Sequence, residues 1–292
     1  LGDDPPPGSV VREGKIVKVI VSQGGERVLT PAIIGLPLRI AEMASQFRYE
    51  KSGELTGLMR VRAFCLADAH IMLAPDQAAD EIKRVLELID YANGIFGLKK
   101  GVDYRYRLSL GDRNEDKKYY KDDAAWDKAE DILRTVLKDV KAPFFEAAGE
   151  AAFYGPKIDV QMKRVNGHEE TAFTVQYDFV MPKRFDLKYI DKDGQEKQPI
   201  VIHRSSIGCF ERTMAFLIER YAGAFPVWLS PVQVLLAPVA TKHQDGAREL
   251  AKELRENGIR VEIDDADETV GNKVRKAAGQ KIPYIVIVGD KE

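Results

Sequence analysis

In the stretch GLMRVRAFCLADAH, residues 57–70, two arginines, a phenylalanine, an aspartate and a histidine fall on alternate positions, with mostly apolar residues between them. Strand side chains repeat with period two, so Arg60, Arg62 and Phe64 share one face and Met59, Val61 and Ala63 the other. Met, Val and Ala suit a core. Upstream, LPLRIAEMASQFRYE (36–50) passes from an apolar segment into a second alternating strand, on which Arg48 and Glu50 lie opposite Phe47 and Tyr49. The loop KSGELTG (51–57) joins the two, which predicts a long antiparallel hairpin. A sheet surface carrying arginines, an acid and a ring suits a nucleotide: arginine on phosphate, ring on base, acid on an exocyclic amine. The plainer reading is a solvated face of ion pairs.

Working outward, apolar residues at 82, 85, 86, 88 and 89 give residues 76–96 a helical period, and a second helix is predicted over 123–138 with Trp126, Ala129, Ile132, Leu133, Val136 and Leu137 on one side. DYRYRLSL, KIDVQMKR, AFTVQYDFV and QPIVIHR are strand candidates with few crossover helices among them, the pattern of an antiparallel sheet in an α+β domain. In VIHRSSIGCFERTMAFLIERYAGAF (201–225) a strand is expected to end at His203. A Ser-Ser-Ile-Gly turn follows, and then a helix with Glu211 and Arg212 near its start, where dipole and guanidinium favour anions. Pro226 to Pro231 reads as a boundary; beyond it strand and helix alternate strictly, which implies a small parallel α/β domain. KIVKVIVS (15–22) is a further strand candidate, and LGDDPPPGS reads as a linker-like start.

The bulk properties agree with two globular domains in 292 residues: 45% apolar, 31% charged, net charge −2. No global basic field advertises nucleic acid, although a local groove can be positive on a neutral protein. Cys65 and Cys209 are too few for a disulfide framework, so a reducing cytoplasmic setting is expected. With no run of about 18 apolar residues and no secretion-type leader, neither a membrane span nor export is expected.

These segments resemble a known family. FRYEKSGELTGLMRVRAF (47–64) resembles motif 2 of class II aminoacyl-tRNA synthetases, and IGCFERTMAFLIE (207–219) their motif 3. ADAH, FYGPKIDV, TVQYDF and VIHRSSIG, in this order and followed by an α/β tail, are similar to the threonyl branch of that family. The resemblance runs from about Leu36 to Glu292. It implies an α+β catalytic core at 31–228, its antiparallel sheet flanked by helices, and an anticodon-binding domain at 229–292, after an N-terminal segment, 1–30, of uncertain role.

The resemblance also implies roles. Arg48 would contact the α-phosphate of ATP, where charge develops as an amino-acid carboxylate attacks. Glu50 would accept from the adenine amine, Phe64 and Arg212 would sandwich the ring, with Arg212 also near the terminal phosphate, and Arg60 would be a second phosphate contact. Arg48 and Arg212 are thus the expected catalytic residues. Mg²⁺ would ride on the triphosphate. The family binds Zn²⁺ through one cysteine and two histidines, matched here by His70 and His203, leaving a position for threonine's amine and hydroxyl. Asp68 would take the substrate amine, and Tyr154, Lys157 and Gln176 would line the threonine pocket. Glu268 and Arg275 would contact the anticodon of threonine tRNA. A homodimer is the family's assembly; neither membrane nor DNA is an expected partner.

The chain departs from the pattern in places. The Met-Asn-Cys-Pro-type segment that supplies the zinc cysteine, and motif 1, are not recognisable where the text passes from VLTPAII to GLPLRIAEM, and no editing domain or final family strand is expected. Leu66 stands where a glutamine is usual, EETAF replaces a Trp-Gln-containing stretch, and Cys209 replaces a common serine. The expected function is ATP-dependent attachment of threonine to its tRNA. The alternatives are a non-catalytic RNA-binding or regulatory relative, or a synthetase for proline or serine.

Overall fold

The computed structural model describes residues 35–290, so the 15–22 strand candidate and the 1–30 segment lie outside the described residues. Contacts divide the chain into two units after Thr213. The expected 228/229 boundary lies in chain order beyond helix Phe210–Tyr221, which the division cuts.

The first unit is built on a seven-stranded sheet. Strands β1 (Leu38–Phe47) and β2 (Ala63–Leu73) form the expected hairpin, in register from Leu38 opposite Met72 to Phe47 opposite Ala63. Helix α1 (Ala78–Ile95) follows, then β3 (Tyr104–Leu110), α2 (Asp123–Asp139), β4 (Phe144–Ala148), β5 (Lys157–Lys163) and β6 (Glu169–Asp178). After a four-residue helix, α3 (Met181–Arg184), and a small hairpin, β7 (Tyr189–Ile190) with β8 (Glu196–Lys197), β9 (Ile200–Cys209) enters the centre of the sheet and leads into α4 (Phe210–Tyr221). The order is β1-β2-β9-β6-β5-β3-β4, antiparallel except between β3 and β4.

Period two sorts the two faces. Ala69, Ile71 and Leu73 of β2, Phe173 and Val175 of β6, Ile158 and Val160 of β5 and Leu108 of β3 are each at most 1% exposed. Helix α1 lies against β9, and α2 against α1 and β3. Each of the larger apolar side chains among them contributes about 1.5–3 kcal/mol on burial. Asp122 caps α2 by accepting from the amide of Ala125 at 3.1 Å, and Trp126, Ala129, Leu133, Val136 and Leu137 are buried as the helical period requires. Ile132 and Leu88 keep partial exposure, because each sits at the edge of its apolar stripe.

Two expectations are corrected. The strand does not end at His203: Arg204 pairs with both Ala69 and Val175 and Ser205 with Asp68, and β9 continues through Cys209, which pairs with Leu66 after an irregularity in the ladder where the sequence reads as a turn. Arg48, Glu50, Arg60 and Arg62 lie beyond the strand ends, in the connection between β1 and β2 rather than on a pleated face.

The second unit contains β10 (Val234–Pro238), α5 (Gln244–Glu256), β11 (Val261–Ile263), α6 (Val270–Gly279) and β12 (Tyr284–Val288), with β11 and β12 both parallel to the central β10. Val234, Leu236, Ala247, Ala251 and Val261 form its core. Gly258, with φ of +78°, releases the chain after α5. Among the described residues no helix is long and apolar enough to cross a membrane.

Candidate active site

One row of the sheet carries four of the expected site residues. His70 on β2 is opposite His203 on β9, His203 is opposite Gln176 on β6, and Gln176 is opposite Lys157 on β5. The row is read from four segments far apart in sequence, and it projects away from the helical layer because its residues have the opposite parity to Ala69, Val175 and Ile158. Asp68 and Ser205, two residues along, form the next cross-strand pair on the same face.

Above these rows lies a cavity of about 430 Å³. Arg48, Glu50, Arg60, Phe64, Asp68, Tyr154, Lys157, Gln176, His203 and Arg212 all line it, so ten of the thirteen expected residues share one space. His70 is not on the wall; its ring packs edge-on behind His203, centroids 4.7 Å apart. Glu268 and Arg275 lie in the second unit, where both line a shallow cleft at the start of α6 with Thr269, Gly271 and Asn272. There Arg275 donates from Nη2 to Oδ1 of Asn272 at 2.7 Å, and Lys276 donates to Glu268 at 2.5 Å.

At one end of the cavity the groups are cationic and aromatic. Glu50 is 5% exposed and accepts from Nε of Arg60 at 3.0 Å; that bond holds its carboxyl below the usual carboxylate range. Arg62, turned away from the wall, ties the loop by donating to the Glu50 carbonyl at 2.9 Å. The Arg48 guanidinium stands 5.6 Å from the centre of the Phe64 ring, within cation–π range. Arg212 donates from Nε to the Met59 carbonyl at 2.9 Å and from Nη1 to the Thr171 carbonyl at 2.7 Å, which fixes its plane from two separate segments.

At the other end the groups are half-buried and backed by two buried carboxylates, Asp159 and Asp178. Burial raises the Asp68 carboxyl and lowers the His70 imidazole, the latter helped by His203. Tyr154 donates to Oε1 of Gln176, and burial together with the charges of Asp178 and Asp68 pushes its phenol up to about 12. Lys157 donates to Asp159, which is fully buried and also accepts from Arg107 and Ser109, each at 2.7 Å. The 154–157 segment is laid against β6 with no room to spare: a Cβ on Gly155 would stand 1.8 Å from the Tyr177 carbonyl oxygen.

Three residues absent from the sequence expectation shape this site. Asp178, 0% exposed, approaches Nε2 of His203 at 2.8 Å with one oxygen and caps α3 by accepting from the amides of Val180 and Met181 with the other. Asp159 anchors Lys157 and Arg107. Thr171 lines the cavity and supplies the carbonyl that Arg212 uses. The signal for both aspartates was present in KIDVQ and VQYDF, where an acid sits in an otherwise buried strand; such an acid requires partners.

The donor set does not fit a zinc ion by itself. His70 and His203 stand side by side, yet among the described residues no group of three His, Cys, Asp or Glu side chains could hold a metal. Cys65 lies five residues from His70 along β2, about 16 Å away at strand spacing, and Cys209 pairs with Leu66, about 13 Å from the histidine row. Neither can be the third ligand at a bond length of about 2.3 Å.

Comparison with known proteins defines the class. The model for the tRNA synthetase class II core domain (G, H, P, S and T) matches residues 18–221, and that for the anticodon binding domain matches residues 233–292. The chain belongs to the class II tRNA synthetase core family, with an anticodon-binding domain after the core. Among its relatives are proteins named threonine–tRNA ligase: one from Clostridium botulinum (strain Eklund 17B / Type B) is 51% identical over 257 residues, 88% of this chain and 40% of the relative, and one from Geobacillus kaustophilus is 51% identical over 258 residues, 88% and 39%. The chain therefore spans about 40% of the length of these curated relatives. Among solved structures, the RNA binding domain of threonyl-tRNA synthetase from Cryptosporidium parvum Iowa II superposes with a TM-score of 0.82 at 32% identity, covering 90% of this chain and 64% of that one. Prolyl-tRNA synthetase from Cryptosporidium parvum, at 18% identity and a TM-score of 0.60, covers 88% and 49% and shares the fold.

Proposed function

We propose that this chain carries the catalytic core and anticodon-binding domain of an ATP-dependent threonine–tRNA ligase. The observation that carries the reading is the convergence of Arg48, Glu50, Phe64 and Arg212 with Asp68, Tyr154, Lys157 and Gln176 on one cavity. The first group offers a nucleotide phosphate contacts, a ring face and a carboxylate for an exocyclic amine; the second offers an amino acid an anion for its ammonium group and polar partners for its side chain and carboxylate.

In the first step a carboxylate oxygen of threonine attacks the α-phosphorus of ATP. A new P–O bond forms, the bond from that phosphorus to the bridging oxygen of pyrophosphate breaks, and pyrophosphate departs with the electron pair. Arg48 faces the charge that gathers on the α-phosphate oxygens, and a guanidinium already in place stabilises it without reorganisation. Arg212, its Nε and Nη1 committed to backbone carbonyls, offers its flat face to adenine and Nη2 to the phosphates. Glu50 stays ionised because Arg60 lowers its pKa, and so accepts from the adenine amine. Mg²⁺ neutralises the triphosphate when bound. In the second step a ribose hydroxyl of the 3′-terminal adenosine attacks the threonyl carbonyl carbon, the bond from that carbon to the phosphate oxygen breaks, and AMP leaves with the electron pair, its phosphate taking up the hydroxyl proton. Glu268 and Arg275 belong to this reading as anticodon contacts, and a homodimer as its assembly. A metal at His70 and His203 belongs to it only with a third protein donor from outside the described residues.

Threonine-dependent exchange of pyrophosphate into ATP tests the reading. Exchange with threonine and not with proline or serine is the expected result; ATP binding without exchange for any amino acid would leave the non-catalytic relative.

A further inference from the structure

The β2–β9 ladder opens beside the nucleotide end of the cavity. Leu66 pairs with Cys209 and Asp68 with Ser205, so β9 spends four residues where β2 spends two. The excess is taken up around Gly208, whose φ of +68° and whose approach to the Ala172 carbonyl, 2.4 Å from where a Cβ would sit, exclude a side chain. Here Glu211 replaces the missing backbone partner. Both its carboxylate oxygens accept from the amide of Cys65, at 3.1 and 3.0 Å, and Oε2 accepts from Sγ of Cys209 at 3.1 Å. Burial alone would raise this carboxyl, but bonds from the Cys209 thiol, its own amide and the Cys65 amide outweigh it and hold the group below its ordinary value.

Cys65 directly follows Phe64, and Glu211 directly precedes Arg212. We propose that Glu211 is a positioning residue for the nucleotide: across the gap in the ladder it clamps the backbone that carries the Phe64 ring to the helix start that carries the Arg212 guanidinium, and so sets the slot between them. The proposal rests on the adenine-slot reading of these two groups. It confines the effect to one end of the cavity, because the threonine end is held by a different set of bonds, through Gln176, Asp178 and Asp159.

The test uses the 292-residue chain with Glu211→Ala and Glu211→Gln. ATP binding is measured directly by equilibrium dialysis, without threonine or turnover, and the KM values for ATP and threonine come from pyrophosphate exchange. Losing charge-assisted bonds of this kind corresponds to about a tenfold or greater loss. Glu211→Ala is expected to weaken ATP by at least that factor while the threonine KM stays within about twofold. Glu211→Gln, whose carbonyl oxygen still accepts from the Cys65 amide, is expected to recover most of the ATP affinity. Unchanged ATP binding in Glu211→Ala overturns the assignment, as does an equal loss for both substrates in Glu211→Gln. Dialysis decides the role of Glu211 even where the parent chain fails to exchange pyrophosphate, so the two readings fail separately.

Discussion

His70 and His203 are direct cross-strand partners, with ring centroids 4.7 Å apart and planes at 84°. The buried carboxylate of Asp178 holds the second ring in place through Nε2. Such a pair offers two imidazole donors to a divalent ion, and the nearest strand positions carry no sulfur. Four-coordinate zinc sites draw three or four ligands from protein. The 292-residue chain is therefore expected to bind Zn²⁺ weakly, to release it to a mild chelator during dialysis and to retain its ATP affinity afterwards. His70→Ala and His203→Ala should each remove the residual binding. Stoichiometric zinc surviving the chelator would show that a third donor is present.

A second expectation concerns Arg212. Its bonds to the carbonyls of Met59 and Thr171 join the β1–β2 connection to β6 through one guanidinium. Lysine keeps the charge but not the planar fork, so Arg212→Lys is not conservative here. Arg212→Lys is expected to raise the ATP KM about tenfold or more, and Arg212→Ala further, with threonine affinity little changed. A threonine KM that rises in parallel would mean that the loss spreads beyond the nucleotide end.

The sequence made the sorting of faces readable and left the joints obscure. Period two sorts the faces of β2 from Asp68 onward, where Ala69 meets the core, and the same parity carried across β9, β6 and β5 gives the row His70, His203, Gln176, Lys157; before β2 it fails, because Met59 and Val61, expected in the core, line the cavity with Arg60 and Phe64 in the β1–β2 connection, and Ala63 is exposed. The roles attached to that row came from a family resemblance. Ser205 to Gly208 read as a turn because Ser and Gly favour turns locally, whereas in the fold the strand, paired on both sides at Arg204 and to β2 at Ser205, runs on to the Leu66–Cys209 pair as an irregularity in the ladder. Strand β4 went unrecognised: five residues after a proline carry too short a pattern, and its parallel pairing to β3 is a tertiary choice. The partners of Glu211 and Asp178 were hidden for a related reason, since they are a backbone amide 146 residues away and a ring 25 residues away.

The tyrosines set the alkaline limit of the fold. Burial raises Tyr154 and Tyr177 each to about 12, and burial with bonds to Asp90 lifts Tyr104 and Tyr106 beyond that. A folded pKa above the unfolded value of about 10 means that the folded chain holds protons the unfolded chain has lost. Their contribution to stability is complete below about pH 10 and is lost as the pH rises towards 12. Absorbance at 295 nm should show these four of the eleven tyrosines, and with them Tyr189, which burial also raises, ionising late, together with loss of the near-ultraviolet circular dichroism signal. Ionisation of all eleven near pH 10 with the fold intact would contradict this.

Gly155 gives the most local test of how the threonine end is held. Its neighbours Tyr154 and Lys157 line the cavity, and the segment is stitched to β6 by the Tyr177 amide donating to the Pro156 carbonyl at 2.9 Å. A Cβ added at Gly155 would stand 1.8 Å from the Tyr177 carbonyl oxygen, a backbone atom that no rotamer change can move aside. Gly155→Ala must therefore shift the backbone, at a cost of about 1–3 kcal/mol or more. The shift carries Tyr154 away from Gln176 and Lys157 away from Asp159, so threonine affinity should fall together with the melting temperature while ATP binding at the far end persists. Gly149→Ala, where a Cβ meets nothing within 4 Å, is the matching control: its φ of +77° strains the backbone without closing on a neighbour. Its destabilisation should leave threonine affinity unchanged, and equal loss of threonine binding in both variants would place the effect in general stability rather than in the seating of residues 154–157.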